Sequence, residues 1–261
     1  MKNYLVGAVR PVSTTWGYWK TQEEESIARR ESEKYQAMYD TSRASARKFL
    51  QGTWEEVIFQ APVLDNRLYQ IAQWYCIKEL WFKEPCNILW MGADTLFIKP
   101  TEIFGRFKEM RLFNHTDPRQ HSALSEYGDG TGNYFNDDIR YYPATMDQKS
   151  WAVGEGKMAN WFIPPNNIWD CGQIIHNHQF WCQDIPVNDI FHPELAYQMV
   201  KGSVELDNQW NKISIQQAHV LHLHGSRNAN DRLLTMNQIA AGLGISLTTP
   251  NKNTNIINIP V

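Results

Sequence analysis

Three short runs of strand character, Tyr4 to Val9, Glu56 to Gln60 and Ile88 to Met91, alternate with two longer segments of helical pattern, and this alternation constrains the fold more than anything else in the chain. The first run is closed by Pro11 and reads as a buried strand. Thr21 and Glu24 then have the spacing of a capping box. Glu23 to Glu25 put negative charge in a first turn, and Arg47 with Lys48 put positive charge in a last turn before Gly52. That pattern predicts a helix over 22–50, whose end charges serve the helix dipole and solubility rather than chemistry. EVIFQ at 56–60 reads as a second strand. Leu64, Leu68, Ile71, Tyr75 and Leu80 follow at helical spacing until Pro85, and NILWM at 87–91 is a third strand. Parallel strands need a crossover connection, so strand, helix, strand, helix, strand predicts a mostly parallel sheet with helices on its faces. Ligands of such sheets sit beyond the carboxyl ends of the strands.

The third strand carries an anomaly at that end. In NILWMGADTLFIKP, residues 87–100, the apolar run stops at Gly92 and resumes as Thr95, Leu96, Phe97 and Ile98, with the carboxylate of Asp94 in between. A buried or half-buried charge costs several kcal/mol unless something pairs with it, so Asp94 needs a partner. Its position just past an apolar strand moves the reading from turn residue toward functional site.

Farther along, residues 111–170 are polar, aromatic and punctuated by Gly and Pro, with weak periodicity, the pattern of a substrate-shaping insertion. Within and after it, SWAVG and WFIPP read as strands, as do IWDCGQIIHN and HVLHLHG. Residues 231–239 read as a helix ended by Gly242 and Gly244, and the tail TTPNKNTNIINIPV as loose or laid over the surface. His176 with His178, and His222 with His224, are spaced two apart. On a strand such residues share a face, so either pair could present two imidazoles to one metal ion. The second pair is the stronger, because it closes a strand and is followed by Gly225, where a ligand can approach the backbone.

Composition bounds the function classes. A chain of 261 residues can bury one substantial core, and the even spread of apolar residues favours a single domain over 1–261. Hydrophobic content of 43% with 20% charged residues belongs to a folded protein rather than a disordered one. The 11 Trp, 11 Tyr and 11 Phe suit sugar faces and base rings as well as a core, with core packing the commoner use. A net charge of −3 lacks the basic footprint of a dedicated nucleic-acid binder. Cys76, Cys86, Cys171 and Cys182 show no C-x-x-C spacing, so neither a zinc ribbon nor a thioredoxin-type pair is indicated, and reduced thiols in a cytoplasmic protein are the simplest expectation. The first apolar stretch is too short for a signal peptide and is broken by Arg10 and Pro11, and no segment approaches the roughly 20 apolar residues of a membrane span.

Four stretches, in order, resemble retaining glycosyltransferases of GT-A fold, in particular the glycogenin and bacterial galactosyltransferase type (family eight). WMGADTL at 90–96 is similar to that family's L-Y-L-D-A-D-T-L, with Gly92 where the first aspartate of the D-x-D pattern stands. WDCGQIIHN at 169–177 is similar to the F-N-S-G-V strand lining the sugar site, with Asp170 for the asparagine and Gly172 retained. LDNQWN at 206–211 is similar to the D-Q-x-x-x-N segment, with Asp207 retained and Asn208 for the glutamine. LHLHG at 221–225 resembles the H-x-x-G motif, which maps the metal-binding histidine onto His222 rather than His224. Ser226, Arg227 and Asn228 follow in place of lysine, proline and tryptophan.

The resemblance implies one GT-A-like catalytic domain: residues 1–110 as the nucleotide-binding half, 111–245 as the sugar and acceptor half, and 246–261 as a C-terminal tail. It implies transfer of a sugar from a nucleotide-diphosphate donor, with retention, supported by Mn2+ or Mg2+. Asp94 and His222 would be metal ligands, and His224 could compensate for the aspartate missing at Gly92. Val9, Thr14, Thr15 and Trp16 after the first strand, with Gly92 and Ala93, would contact the nucleotide. Gly225 and Arg227 would face the diphosphate. Asp170, Asp207 and Asn208 would reach the donor or acceptor sugar, although Asp207 also reads as a helix N-cap. A glycan, a protein side chain, a small metabolite and a modified nucleic-acid base are all open as acceptor. Two other functions fit parts of the pattern: a non-catalytic nucleotide- or glycan-binding relative, given Gly92 and the absent lysine, and a metallohydrolase built on His222 and His224.

Overall fold

A computed structural model of the chain describes residues 1–9, 22–60, 77–115, 135–147, 192–200, 202–223, 229–246 and 254–258. Its main sheet is built from β1 (Lys2–Val9), β2 (Glu55–Gln60), β3 (Cys86–Met91), β5 (Arg111–His115), β6 (Phe135–Tyr142) and β9 (Asn255–Asn258), in the order β5-β6-β3-β1-β2-β9. β3, β1, β2 and β9 run parallel, whereas β6 is antiparallel to both β3 and β5. A smaller sheet joins β4 (Thr95–Phe97), β8 (Val220–His222) and β7 (Tyr197–Gln198) in the order β4-β8-β7. The helices are α1 (Gln22–Phe49), α2 (Val204–Asn211) and α3 (Ala229–Gly242), and residues 77–83 are also helical.

The near-continuous apolar character of the first three strands follows from burial on both faces. Successive side chains alternate: Tyr4, Val6, Ile88 and Trp90 pack on one face with Ile77, Leu80 and Trp81, while Leu5, Leu89 and Met91 pack on the other with Ala46 of α1 and Leu50 just beyond it. Each fully buried Leu or Phe contributes about 1.5–3 kcal/mol relative to exposure, so this two-sided core holds the strand ends in place. Along its other side α1 meets α3 and the smaller sheet, where Met38, Leu96, Tyr197, Leu221 and Met236 share one cluster.

The helix expected over 22–50 and the three expected strands are present, and the sheet is mostly parallel as the alternation required. Two expectations are corrected. The stretch expected to be an insertion with weak periodicity supplies β5 and β6, two full members of the main sheet. Its alternation is disguised because Arg140 is a core residue, wholly buried, with its guanidinium 4.9 Å from the centre of the Trp90 ring. The tail expected to be loose or laid over the surface supplies β9, which joins the main sheet and pairs in parallel with β2 from Val57↔Asn255 to Gln60↔Asn258. The expected capping residue Thr21, the helical positions 64–75 and the strands expected within 150–177 lie outside the described residues. Among the described residues, no helix is long and apolar enough to cross a membrane.

Candidate functional site

β3 ends at Met91, and the chain turns through Gly92, Ala93 and Asp94 into β4. Thr95 Oγ1 donates to the carbonyl of Gly92 at 2.8 Å, closing the turn. Beneath it, the buried Arg43 of α1 donates through Nη2 to the carbonyls of Met91 (2.9 Å) and Val6 (3.1 Å), tying the end of β3 to β1. Gly7 makes room for that guanidinium, since a Cβ there would lie 1.9 Å from Arg43 Nη2.

Two ladders then bring functional side chains to this turn. β4 pairs antiparallel with β8 so that Thr95 faces His222, and the amide of Leu223 donates to the carbonyl of Asp94 at 2.9 Å. β6 pairs antiparallel with β3, and the amide of Gly92 extends the ladder by donating to the carbonyl of Asp138 at 2.7 Å. Asp94, Asp138 and His222 converge as a result, offering ligand atoms that all lie within 4.8 Å of one another. His222 Nε2 is 2.8 Å from Asp138 Oδ2 and 3.8 Å from Asp94 Oδ1. The second oxygen of Asp94 belongs to another partner: Arg232 of α3 donates to Oδ2 through Nη1 at 2.6 Å, and through Nη2 to the Tyr35 hydroxyl of α1 at 2.7 Å.

The electrostatics of the cluster follow from burial. His222 is 1% exposed and Asp94 8%. Burial, and then the negative charge of Asp138, push the Asp94 carboxyl above its usual range, while His222 and Arg232 pull the other way. Burial pulls the His222 imidazole down, but the charge and hydrogen bond of Asp138, with the charge of Asp94, more than reverse it, so it stands above its ordinary value. The Arg232 guanidinium is likewise raised against the effect of burial by Asp94. The site therefore favours added positive charge, and two carboxylate oxygens with one imidazole nitrogen are a donor set suited to Mn2+ or Mg2+. Arg232 also keeps its Nε buried, with no hydrogen-bond partner among the described residues.

Of the residues expected from the sequence, Asp94 and His222 are brought together, and Gly92 with Ala93 form the turn that carries them. Val9 is the last residue of β1, at the same carboxyl edge of the sheet. Asp207 and Asn208 lie on α2. Asp207 Oδ1 accepts from the amide of Val200 at 2.9 Å, while Asn208 Oδ1 accepts from the Tyr197 hydroxyl at 2.7 Å and the amide of Ile215 at 2.8 Å. The reading of Asp207 as an N-cap is corrected: Ser203 caps α2, its hydroxyl accepting from the amide of Leu206, and Asp207 is buried within the helix. Thr14, Thr15, Trp16, Asp170, His224, Gly225 and Arg227 lie outside the described residues. Asp138 and Arg232 were not anticipated. The only local hint of the first is a pair of acidic residues inside an aromatic strand, FNDDIRYY, and a charged residue on a helix such as α3 gives none.

No family model and no curated protein matches the chain. Solved structures do. The chain superposes on the galactosyltransferase LgtC, in a complex with donor and acceptor sugar analogs, with a TM-score of 0.53 at 12% identity, over 95% of this chain and 98% of that one. The bifunctional glycosyltransferase WbbM, in its apo form, gives a TM-score of 0.53 at 9% identity over 92% of this chain, which spans 50% of the WbbM structure. At such identities the likeness defines the fold: this is an α/β chain of the GT-A-like glycosyltransferase architecture.

Proposed function

We propose that the chain is a glycosyltransferase that takes a sugar from a nucleotide-diphosphate donor and uses a divalent cation held by Asp94 and His222. The observation that carries this reading is the meeting of those two side chains at the carboxyl end of β3, in a fold shared with glycosyltransferases. In donor cleavage the diphosphate leaves with growing negative charge, and a bound Mn2+ or Mg2+ would neutralise it. The chain's own residues prepare that site. Arg232 holds Oδ2 of Asp94 and leaves Oδ1 turned toward His222, while Thr95 and Arg43 fasten the turn from which Asp94 projects. Positioned groups of this kind lower a barrier because they need no reorganisation when charge develops.

Within this reading, Val9, Thr14, Thr15 and Trp16 contact the nucleotide, Gly225 and Arg227 the diphosphate, and Asp170 the sugar. Retention of anomeric configuration is carried over from the resemblance to family eight, an argument by analogy. Thermal unfolding of the purified protein with a panel of nucleotide-diphosphate sugars, each with and without Mn2+, tests the proposal. A ligand at 100 times its dissociation constant adds about 2.7 kcal/mol of stability. The expected result is a shift that needs nucleotide and metal together and disappears in Asp94→Asn. No shift with any donor at saturating concentration sinks the transferase reading, and a donor shift indifferent to metal would sink its cation and leave a basic side chain such as Arg227 as the diphosphate's positive partner.

A further inference from the structure

We infer that Asp138 is the carboxylate that residue 92 lacks: the acidic ligand that a D-x-D pattern carries on β3 has moved across the sheet to β6, making the cation site Asp94, Asp138 and His222. The inference rests on the cation-site reading above and names a ligand that the motif does not contain.

The register of the ladder is the first argument. Ile88 faces Tyr142 and Trp90 faces Arg140, so the next pair on the same face is residue 92 with residue 138, and the hydrogen bond from the Gly92 amide to the Asp138 carbonyl confirms it. Side chains directly opposed across an antiparallel pair stand about 4.5–5.5 Å apart at Cβ and point the same way. A group placed on either residue can therefore serve the same spot.

Space is the second argument. A Cβ built on Gly92 would lie 3.1 Å from Asp138 Oδ1, 3.4 Å from Asp138 Cβ and 3.4 Å from Asp94 Oδ1. A side chain at 92 would thus grow into the place where the Asp138 carboxylate now stands, between the two oxygens that would share a cation. Gly92 is not a vacancy in the site, because its side-chain volume is already filled from the neighbouring strand.

Exposure is the third. His222 and Asp94 have side chains 1% and 12% exposed, whereas that of Asp138 is 36% exposed while its Oδ2 reaches His222 Nε2 at 2.8 Å. Asp138 is the most exposed member of the cluster, and its partners hold the buried side.

The test is Mn2+ alone, titrated into the full chain and followed by the electron-paramagnetic-resonance signal of free Mn2+. Asp138→Asn keeps the size of the side chain and removes its charge. It should weaken Mn2+ binding by at least about tenfold, the scale on which even an outer-shell partner acts. The double variant Gly92→Asp with Asp138→Gly returns the carboxylate to β3 and should recover binding toward the wild-type level, while Asp138→Gly alone should not. Circular dichroism verifies folding of each variant, and Asp138→Asn decides the matter should the double variant fail to fold. Wild-type binding by Asp138→Asn, with binding lost in Asp94→Asn, would overturn the relocation and leave the cation site standing on Asp94. Absence of Mn2+ binding by the wild-type chain would overturn the site itself, and the relocation with it.

Discussion

Asp94 and Arg232 stand 138 residues apart in the chain and meet at 2.6 Å, the guanidinium of α3 closing on a carboxylate at the end of β3. Each side chain is 12% exposed, so the pair is largely removed from water. Breaking a buried pair by deleting one member costs about 3–5 kcal/mol, because the other charge is left without its partner. Arg232→Met should therefore lower the stability of the metal-free protein by roughly 3 kcal/mol in urea unfolding. Asp94→Asn in the same background should recover most of that loss. An Arg232→Met protein as stable as wild type would show that His222 alone satisfies Asp94.

Gly7 is the second testable position. Alanine there would place a Cβ 1.9 Å from Arg43 Nη2 and 2.7 Å from Tyr39 Cε2. Arg43 is 1% exposed and its Nη2 bridges the carbonyls of Val6 and Met91, so it cannot swing into solvent. Gly7→Ala should cost about 1–3 kcal/mol, as overpacking in a filled core does, read as a lower urea midpoint at unchanged slope. A midpoint equal to wild type would mean that Arg43 has another place to go.

Cys86 opens β3 and is wholly buried. Burial first, and the Glu84 carboxylate second, push its thiol up to about 12. The thiolate is the reactive form, so Cys86 should resist maleimide at pH 8 in the folded protein and label rapidly in denaturant. Mass mapping of the peptide that contains it gives the answer, and labelling in the native state would count against this packing.

Glu194 sets a pH dependence. His192 Nδ1, 3.4 Å from its Oε1, holds the carboxyl below the usual glutamate range against the opposing effect of burial, and Arg106 at 3.2 Å assists. The unfolded chain thus takes up this proton before the folded one as pH falls. The stability from Glu194 is complete above the ordinary glutamate value of about 4.3 and is lost as pH drops through the lower folded value. With the side chain 30% exposed, its worth is under about 1 kcal/mol. Glu194→Gln should remove that increment at neutral pH and flatten the acid limb of the stability curve, while an unchanged acid limb would discount the pair.

Much of the fold was legible because β1, β2 and β3 are buried and apolar, and because α1 advertises its end with Arg47 and Lys48. β6 was hidden by its own chemistry, since a buried Arg140 laid against Trp90 reads as a polar residue in any scan of hydrophobic period. β9 was hidden by its place at the edge of the described sheet, where one side of the strand has no partner among the described residues and Ile256 is 56% exposed. In the site, Asp94 was visible as a charge inside an apolar run and His222 as a histidine closing a strand. Asp138 and Arg232 were not, because what makes them functional is a contact made by strand register and helix packing, neither of which leaves a local pattern.

The pairing of β9 with β2 has a consequence for the order of assembly. Residues 255–258 are the last described strand to be synthesised, and they fill the flank of a strand made some two hundred residues earlier. Throughout translation of the intervening chain, the outer amides and carbonyls of β2 have no strand beside them among the described residues. The nascent protein therefore carries the longer β2 as its open edge until this strand emerges, and the late arrival replaces that edge with the four-residue β9, a shorter template for edge-on pairing with other chains.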